Sequence, residues 1–492
     1  MILLLVAVFA SVSFAQPLDR VVLSNDAWPR ATTLKEWTSD VMRISGNDKA
    51  TETAQGKTFF EWLRLFSRMA VGGMIQSYEG TPGKEVYVLD AHKQLFVYGW
   101  GYCDTTSRIA EAAWQEFKGD PRSAERVITQ HADGGYHTMY RLRMDGAYGA
   151  FDPRYGYYLI DRDAPDARVL DWPELNGKFE LNRGYRNRSR PFFEIAGIEL
   201  ERALLLHPKY FPTEAAWRAA GAPKEHVFGD GHYRMGTALH DMSFSLPPGT
   251  TITRYWDNSA RKFYVPSGAH TKREWPFLPS GRFYRVSETK QDPNFARVKP
   301  YLSRIPTDEG YPAELAGGMS IGQAYGVIEY SQLPPELDVR SPYVLVDGTI
   351  EAPREAKIEV RIMEPKPRNA SEPDQWSAWV PITSGKLSVD GKYRFQLRAT
   401  GPGREQARMK LYFETGIMSI PPLFAGNNTL RLRVADAAAL RRDITVIYGY
   451  TTSAGEREHR QVLRRADFRA NEAVYSANVP GLLRCRSVSI QY

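Results

Sequence analysis

Tyr136-His137-Thr138-Met139-Tyr140-Arg141-Leu142-Arg143-Met144-Asp145-Gly146-Ala147-Tyr148-Gly149-Ala150-Phe151-Asp152-Pro153 is the stretch on which the reading of the chain turns. Tyr136, Thr138, Tyr140, Leu142 and Met144 alternate with His137, Met139, Arg141 and Arg143, the period of two expected of a strand. Asp145-Gly146 is a strong two-residue hairpin signal. With those residues as the loop, Met144 faces Ala147, and counting back sets Met139 opposite Asp152. His137 and Met139 share a face, so Asp152 becomes the diagonal neighbour of His137, about 7–8 Å away at Cα. Side chains that lean together span that gap. The hairpin register alone therefore predicts a His137–Asp152 hydrogen bond, and a one-residue slip would break it.

Upstream, the run Lys93-Gln94-Leu95-Phe96-Val97-Tyr98-Gly99-Trp100-Gly101-Tyr102 delivers Cys103 to a helical pattern. Ile109, Ala110, Ala113, Trp114 and Phe117 form one face, and Gly119-Asp120-Pro121 stops it. Asp104, Thr105 and Thr106 are good capping types, which puts Cys103 at or just before the helix N-terminus. That position favours an anion and lowers a thiol pKa. A thiol, an imidazole and a carboxylate in this order are the parts of a cysteine nucleophile with its base and orienting group. Two blander readings of Cys103 stand beside this one. Only Cys103 and Cys485 occur in the chain, so an exported protein would be able to join them in a disulfide. Cys103 also fits as an inert small core residue.

The length of 492 residues exceeds one ordinary core and points to several domains. With 42% hydrophobic and 25% charged residues the composition is that of a soluble protein, and 39 Gly and 32 Pro spread along the chain imply many turns and a β-rich architecture. The net charge of +7 comes from interspersed signs, and no basic block argues for nucleic acid. Arg183, Arg186, Arg188 and Arg190, the densest cluster, read as a solvated loop. Residues 1–15 read as a secretory signal: Ile2 to Phe9 supply the apolar core and Ser13-Phe14-Ala15 the small residues before cleavage, though a positive n-region is missing. A secreted or periplasmic location is the expectation. No other segment has about 18 consecutive apolar residues, so no membrane span is expected.

Along the rest of the chain, Phe59, Trp62, Leu63, Phe66, Met69 and Ala70 recur at helical spacing within 58–75. Residues 85–90 form a short β-like run. Met242 to Leu246, Thr250 to Tyr255 and Phe283 to Ser287 read as strands, with Pro247-Pro248-Gly249 as a turn. Leu333-Pro334-Pro335-Glu336 is the best linker candidate. Beyond it, runs at 343–346, 357–362, 393–397, 409–413, 429–434 and 444–448 read as strands at sandwich-like spacing.

Cys103 at a helix start, His137 opening a strand and Asp152-Pro153 closing the next resemble the transglutaminase-like fold, a branch of the papain-like cysteine enzymes. The resemblance covers roughly residues 57–160. Met139 stands where many members carry a tryptophan two residues after the histidine, and Tyr148 where a tryptophan often precedes the aspartate. The resemblance implies Cys103 as nucleophile, His137 as general base and then acid, and Asp152 as the group that orients the imidazole. The oxyanion would be held by the Cys103 backbone N–H and one further donor, for which Gln94 and Trp100 are the candidates against their readings as a surface glutamine and a packing tryptophan. The C-terminal region resembles, more loosely, β-sandwich modules appended to large exported bacterial proteins. There Trp376 and Trp379 read either as sugar-stacking platforms or as sandwich packing.

The expected organisation is multidomain: a signal peptide at 1–15, an α+β transglutaminase-like (papain-like) domain at 16–165, a β-rich middle domain at 166–335 and a C-terminal β-sandwich at 336–492. The expected activity is that of an exported cysteine hydrolase or acyltransferase acting on peptide or amide bonds through an acyl-thioester at Cys103, with hydrolysis favoured over amine transfer. Partners would be a protein or peptide substrate, including cell-wall peptide, and a carbohydrate at the sandwich. The alternative is a non-catalytic surface or cell-wall-binding protein that uses the fold as a scaffold. No cofactor is expected. His131, Asp133 and His137 do not make a metal site, since no cysteine pair or His-Glu-x-x-His pattern accompanies them.

Overall fold

Residues 17–66, 68–69, 78–79, 86–101, 103–130, 136–152, 157–158, 160–162, 164, 166–171, 174, 226–227, 240–256, 282–283, 319–320, 323–364 and 375–492 are described by a computed structural model. The expected signal segment lies outside them, as do His131, Asp133, Pro153 and the arginine cluster.

Strand β1 (Leu18–Asn25) leads into helices α1 (Leu34–Ile44) and α2 (Glu52–Phe66). Helix α1 starts where the Thr33 side chain accepts the Glu36 amide N–H, the usual N-cap arrangement. The helix expected within 58–75 begins earlier, at Glu52, and stops at Phe66; Met69, expected on its face, lies instead in the short strand β2 (Arg68–Met69). Its apolar residues do face inward. Trp37, Phe59 and Trp114 stack edge to face, with ring centroids 5.8 Å apart for Trp37–Phe59 and 5.4 Å for Phe59–Trp114.

A π-helix (Lys93–Tyr98), β3 (Trp100–Gly101) and helix α3 (Cys103–Lys118) follow. Next come β4 (Ala124–Gln130), β5 (Tyr136–Met144), β6 (Ala147–Asp152) and β7 (Tyr157–Tyr158), with β8 (His226–Val227) joining from further on. These strands make one sheet in the order β8-β4-β5-β6-β7, antiparallel at every junction.

Most of the remaining strands form two further layers. Strand β9 (Phe244–Leu246) precedes β10 (Thr250–Tyr255), β11 (Gln323–Tyr330), β12 (Glu336–Glu351), β13 (Lys357–Glu364) and β14 (Gln375–Trp376). After these come β15 (Val380–Pro381), β16 (Lys392–Thr400), β17 (Arg408–Gly416), β18 (Gly426–Arg433), β19 (Ile444–Thr452) and β20 (Gly455–Leu463). The last are β21 (Phe468–Arg469), β22 (Glu472–Val479) and β23 (Leu482–Gln491). A five-stranded sheet runs β9-β1-β18-β22-β21, and a twelve-stranded sheet has β14-β13-β16-β12-β17-β11-β10-β23-β19-β20 as its main path. Phe244 of the smaller sheet lies over Tyr343 and Phe413 of the larger, at 5.7 and 6.0 Å, so the layers pack in sandwich-like fashion.

The chain is thus multidomain with a large antiparallel β region and few helices, but the sheets cut across the expected boundaries. β1, from the N-terminal stretch, pairs with β18 and β9. β10 and β11, from the expected middle domain, sit side by side in the large sheet. The stretch at 333–336 is no linker: it joins β11 to β12 within one sheet, and the amide N–H of buried Leu333 donates to the Ala407 carbonyl at 2.9 Å. Turn composition reveals where strands stop; it carries no information on which distant strand each one pairs with.

The helical unit is stitched to the β layers by polar contacts in buried surroundings. Trp28 Nε1 donates to the Met418 carbonyl at 2.9 Å. Ser419 Oγ donates to the Phe96 carbonyl at 2.6 Å. Within the β layers, Asn25 Nδ2 at the end of β1 donates to the Pro422 carbonyl at 2.7 Å.

Candidate active site

Cys103 is the first residue of α3 and is partly exposed. The helix begins there because the preceding segment cannot continue one. Gly99 closes the π-helix in the left-handed region at φ +65° and its amide bonds the Gln94 carbonyl. Trp100 and Gly101 then pair in parallel with Arg68 and Met69. From Cys103 onward Ile109, Ala110, Ala113 and Trp114 are fully buried against the α1 and α2 side chains. One turn into the helix, Ser107 Oγ donates to the backbone carbonyl of Thr138 at 3.3 Å. That contact sets the N-terminal turn of α3 against the start of the histidine strand.

The hairpin has the expected register. Asp145 and Gly146 lie at φ +49° and +85°, the left-handed pair of a type I′ turn. Met144 pairs with Ala147, and the ladder runs to Tyr140 opposite Phe151; the same register carried one residue on sets Met139 across from Asp152. Asp152 is fully buried and pairs with Tyr157. The turn is held from outside as well: Asp145 accepts the amide N–H groups of Glu52 at 3.2 Å and Thr53 at 3.0 Å, which caps α2. Burial works against ionisation of Asp145, yet the bonds from Thr53 and Glu52 hold its carboxyl below the usual carboxylate range.

Pleating defines what meets what. Positions 137, 139 and 152 share one face of the hairpin. Tyr140 belongs to the other, where it stacks on Phe151 at 5.5 Å and Phe151 meets Phe60 of α2 at 5.4 Å. Arg126 stands opposite Tyr140 in the ladder and reaches Asp104 and Glu111 of α3, so α3 lies over that second face. The face that carries positions 137, 139 and 152 is therefore the one opposite α3. The side chain of His137 lies outside the described residues.

The other expected residues fall as follows. Gln94 is fully buried in the π-helix, and its Nε2 donates to the Val88 carbonyl at 2.7 Å, which occupies one of the donors an oxyanion would use. Trp100 lies in β3, its side chain outside the described residues. Cys485 is free and fully buried in β23, with Sγ 3.3 Å from the Leu423 amide; burial pushes its thiol up to about 12. Cys103 is not disulfide-bonded either, so the disulfide alternative is not realised. Tyr148 donates to the Arg122 carbonyl and to Glu125, and burial followed by the Glu125 carboxylate pushes its hydroxyl up to about 12. Among the described residues no three His, Cys, Asp or Glu side chains converge as a metal site.

Trp376 and Trp379 are half-buried at a sheet edge, next to three guanidiniums. Arg361 lies 5.0 Å from the Trp376 ring and 4.8 Å from Trp379, with Arg394 and Arg398 on the same rings at 5.2 and 4.6 Å. This is a cation–π ladder, the packing alternative for these tryptophans. No helix among the described residues is long and apolar enough to cross a membrane.

Sequence reasoning missed one network beside the cysteine. Asp104 accepts from Arg108 at 2.7 Å and from Arg126 at 3.2 Å, and Arg126 also holds Glu111 at 2.7 Å. The i,i+4 spacing of Asp104 and Arg108 was visible as a helix-surface pair; the reach from β4 was not.

No family model and no curated protein matches the chain. Among solved structures, the pilus backbone protein RrgB from Streptococcus pneumoniae is similar at 8% identity over 34% of this chain and 70% of that one, with a TM-score of 0.11, too low to bear on fold or function.

Proposed function

We propose that the chain is an exported cysteine enzyme of transglutaminase-like type, acting on peptide or amide bonds with Cys103 as nucleophile. The observation that carries this reading is the bond from Ser107 to Thr138. It sets the helix start bearing a partly exposed cysteine against the strand that begins with Tyr136-His137. Further support comes from the hairpin register, which makes Asp152 the diagonal neighbour of position 137. Export rests on residues 1–15 alone.

In the proposed reaction the Cys103 thiolate attacks the substrate carbonyl carbon. The backbone N–H at the helix start stabilises the oxyanion that forms. Collapse breaks the C–N bond, and the imidazolium of His137 gives its proton to the leaving amine. Water, deprotonated by His137, then hydrolyses the thioester and restores the thiol. Amine in place of water would give transfer.

The test is the rate of iodoacetamide alkylation at Cys103, followed by peptide mass. Cys485 is sealed in the core and serves as an internal control. Cys103 is expected to react near neutral pH, and His137→Ala to slow it. A Cys103 that reacts no faster than the thiol of a model peptide sinks the reading and leaves the scaffold alternative. Turnover of a peptide and cell-wall fragment library by wild type but not Cys103→Ala then identifies the acyl donor.

A further inference from the structure

Two almost wholly buried guanidiniums reach the carboxylate of Asp104, the residue after the candidate nucleophile, and Arg126 holds Glu111 as well. Arg108 and Arg126 are 4% and 3% exposed, whereas Asp104 is 31% exposed. Arg108 comes from the turn of α3 that follows Asp104, and Arg126 from β4, the strand paired with β5. A carboxylate next in sequence to a nucleophilic cysteine works against it, because a like charge disfavours the thiolate. An opposite charge held close removes that penalty, and a buried guanidinium is screened less than an exposed one.

We propose that Arg126 is a positioning residue of the cysteine site: through Asp104 it clamps the first turn of α3 to the histidine sheet and keeps the Asp104 charge from suppressing the Cys103 thiolate. The proposal rests on Cys103 being the nucleophile.

The other charges around α3 are accounted for. On the helix, Glu111 shares Arg126, and Lys118 binds Glu52 at 2.6 Å. Glu116 sits far down the helix, where desolvation raises its carboxyl above the usual range and Lys35 of α1 bonds it. The α1 side chains Glu36, Asp40 and Arg43 engage Arg30, Arg433 and one another. On the sheet, Glu125 and Arg141 form their own pair at 2.6 Å, with Asp171 on Arg141, while Arg143 is exposed. Arg68 stands on β2 and His137 on β5; Asp152 lies buried on β6. The segment before α3 adds Asp90, His92 and Lys93, in and before the π-helix, whose bonds run to His240 and Tyr393.

Electrostatics and mere structural support make different forecasts. Arg126→Gln removes a cation and leaves Asp104 less neutralised, so the midpoint of the alkylation–pH curve at Cys103 rises. Asp104→Asn removes an anion, so the midpoint falls. Each shift is expected at about half a pH unit to one unit, from Coulomb interaction across several ångströms at intermediate dielectric. Arg126→Lys, which keeps the charge, restores a near-wild-type midpoint. A purely structural network would move both neutralising variants upward together, toward a free thiol at about 8.5. Opposite shifts with lysine rescue support the proposal. Shifts of the same sign, or none, overturn it while leaving the cysteine reading standing. If Arg126→Gln does not fold, Asp104→Asn and Arg126→Lys decide the matter alone. A wild-type midpoint at the free-thiol value removes the cysteine reading itself.

Discussion

Ser107 donates its hydroxyl proton to the carbonyl of Thr138 at 3.3 Å, four residues from Cys103 along α3 and next to His137 on β5. Because Ser107 is fully buried, the bond is made away from water and its loss is felt. Ser107→Ala is expected to lower stability by about 1 kcal/mol and to slow neutral-pH alkylation of Cys103. Urea unfolding and alkylation rates measure the two effects separately. Unchanged alkylation alongside a lower urea midpoint would mean that the helix start is held by other contacts.

The hairpin turn serves two purposes, and two substitutions separate them. Gly146 at φ +85° has open space where a Cβ would go, so Gly146→Ala tests backbone strain alone and should cost about 1 kcal/mol. Asp145→Ala loses the turn preference and also the cap on α2, and should cost about 1–2 kcal/mol. Asp145→Asn keeps an acceptor and should fall between wild type and Asp145→Ala. Denaturant midpoints give the ranking. The Asp145 carboxyl is held below its ordinary value, so its contribution is present above the unfolded-state pKa and fades as pH drops through the folded one. A ranking in which Asn and Ala are equally harmful would remove the cap from the account.

What was legible in the sequence follows from the range of the forces involved. The hairpin register at 136–152 was readable because a two-residue turn and a period-two pattern are local and leave one pairing. Helix α3 was readable at both ends, from Asp104, Thr105 and Thr106 and from Gly119. Thr250–Tyr255 was recovered to the residue, yet its neighbours β11 and β23 were not, since they lie far along the chain. Strand β1 was missed outright: its partner β18 lies some four hundred residues away along the chain. At the site, the order of thiol, imidazole and carboxylate was visible, while the Arg126 reach to Asp104 depends on a strand pairing.

Gly99 tests whether the approach to Cys103 matters. It sits at φ +65°, and a Cβ there would come within 2.9 Å of the Phe66 carbonyl oxygen, a contact that requires backbone to move. Gly99→Ala should therefore cost about 1–2 kcal/mol from the left-handed conformation, with a further loss from the clash. Cys103 lies a few residues on, so its alkylation rate should fall as well. Gly119→Ala is the control, with a similar φ of +66° but open space around it and a place at the far end of α3. Equal effects of both variants on alkylation would argue against a dedicated approach segment.

His240 makes the junction between the helical unit and the β layers sensitive to acid. Its Nε2 donates to the Pro342 carbonyl at 2.7 Å, its amide N–H donates to Asp90 at 3.0 Å, and its carbonyl accepts from His92 Nδ1 at 2.9 Å. The ring meets Tyr393 edge-on at 5.0 Å, and the Lys93 ammonium lies 4.0 Å from that tyrosine. Burial and then the Lys93 charge push the imidazole down to about 4 from an ordinary 6.5. The folded protein thus stays unprotonated at His240 where the unfolded chain binds a proton. The stability tied to the neutral ring is complete above about pH 6.5 and declines as pH falls toward about 4. Below that, both states are protonated and this contribution levels off. His240→Gln should flatten the decline between these limits while lowering stability at pH 7.5 through the lost contacts. Urea midpoints for wild type and variant at pH 7.5, 5.5 and 4.5 measure this. Parallel pH curves for the two proteins would assign the acid sensitivity to other groups.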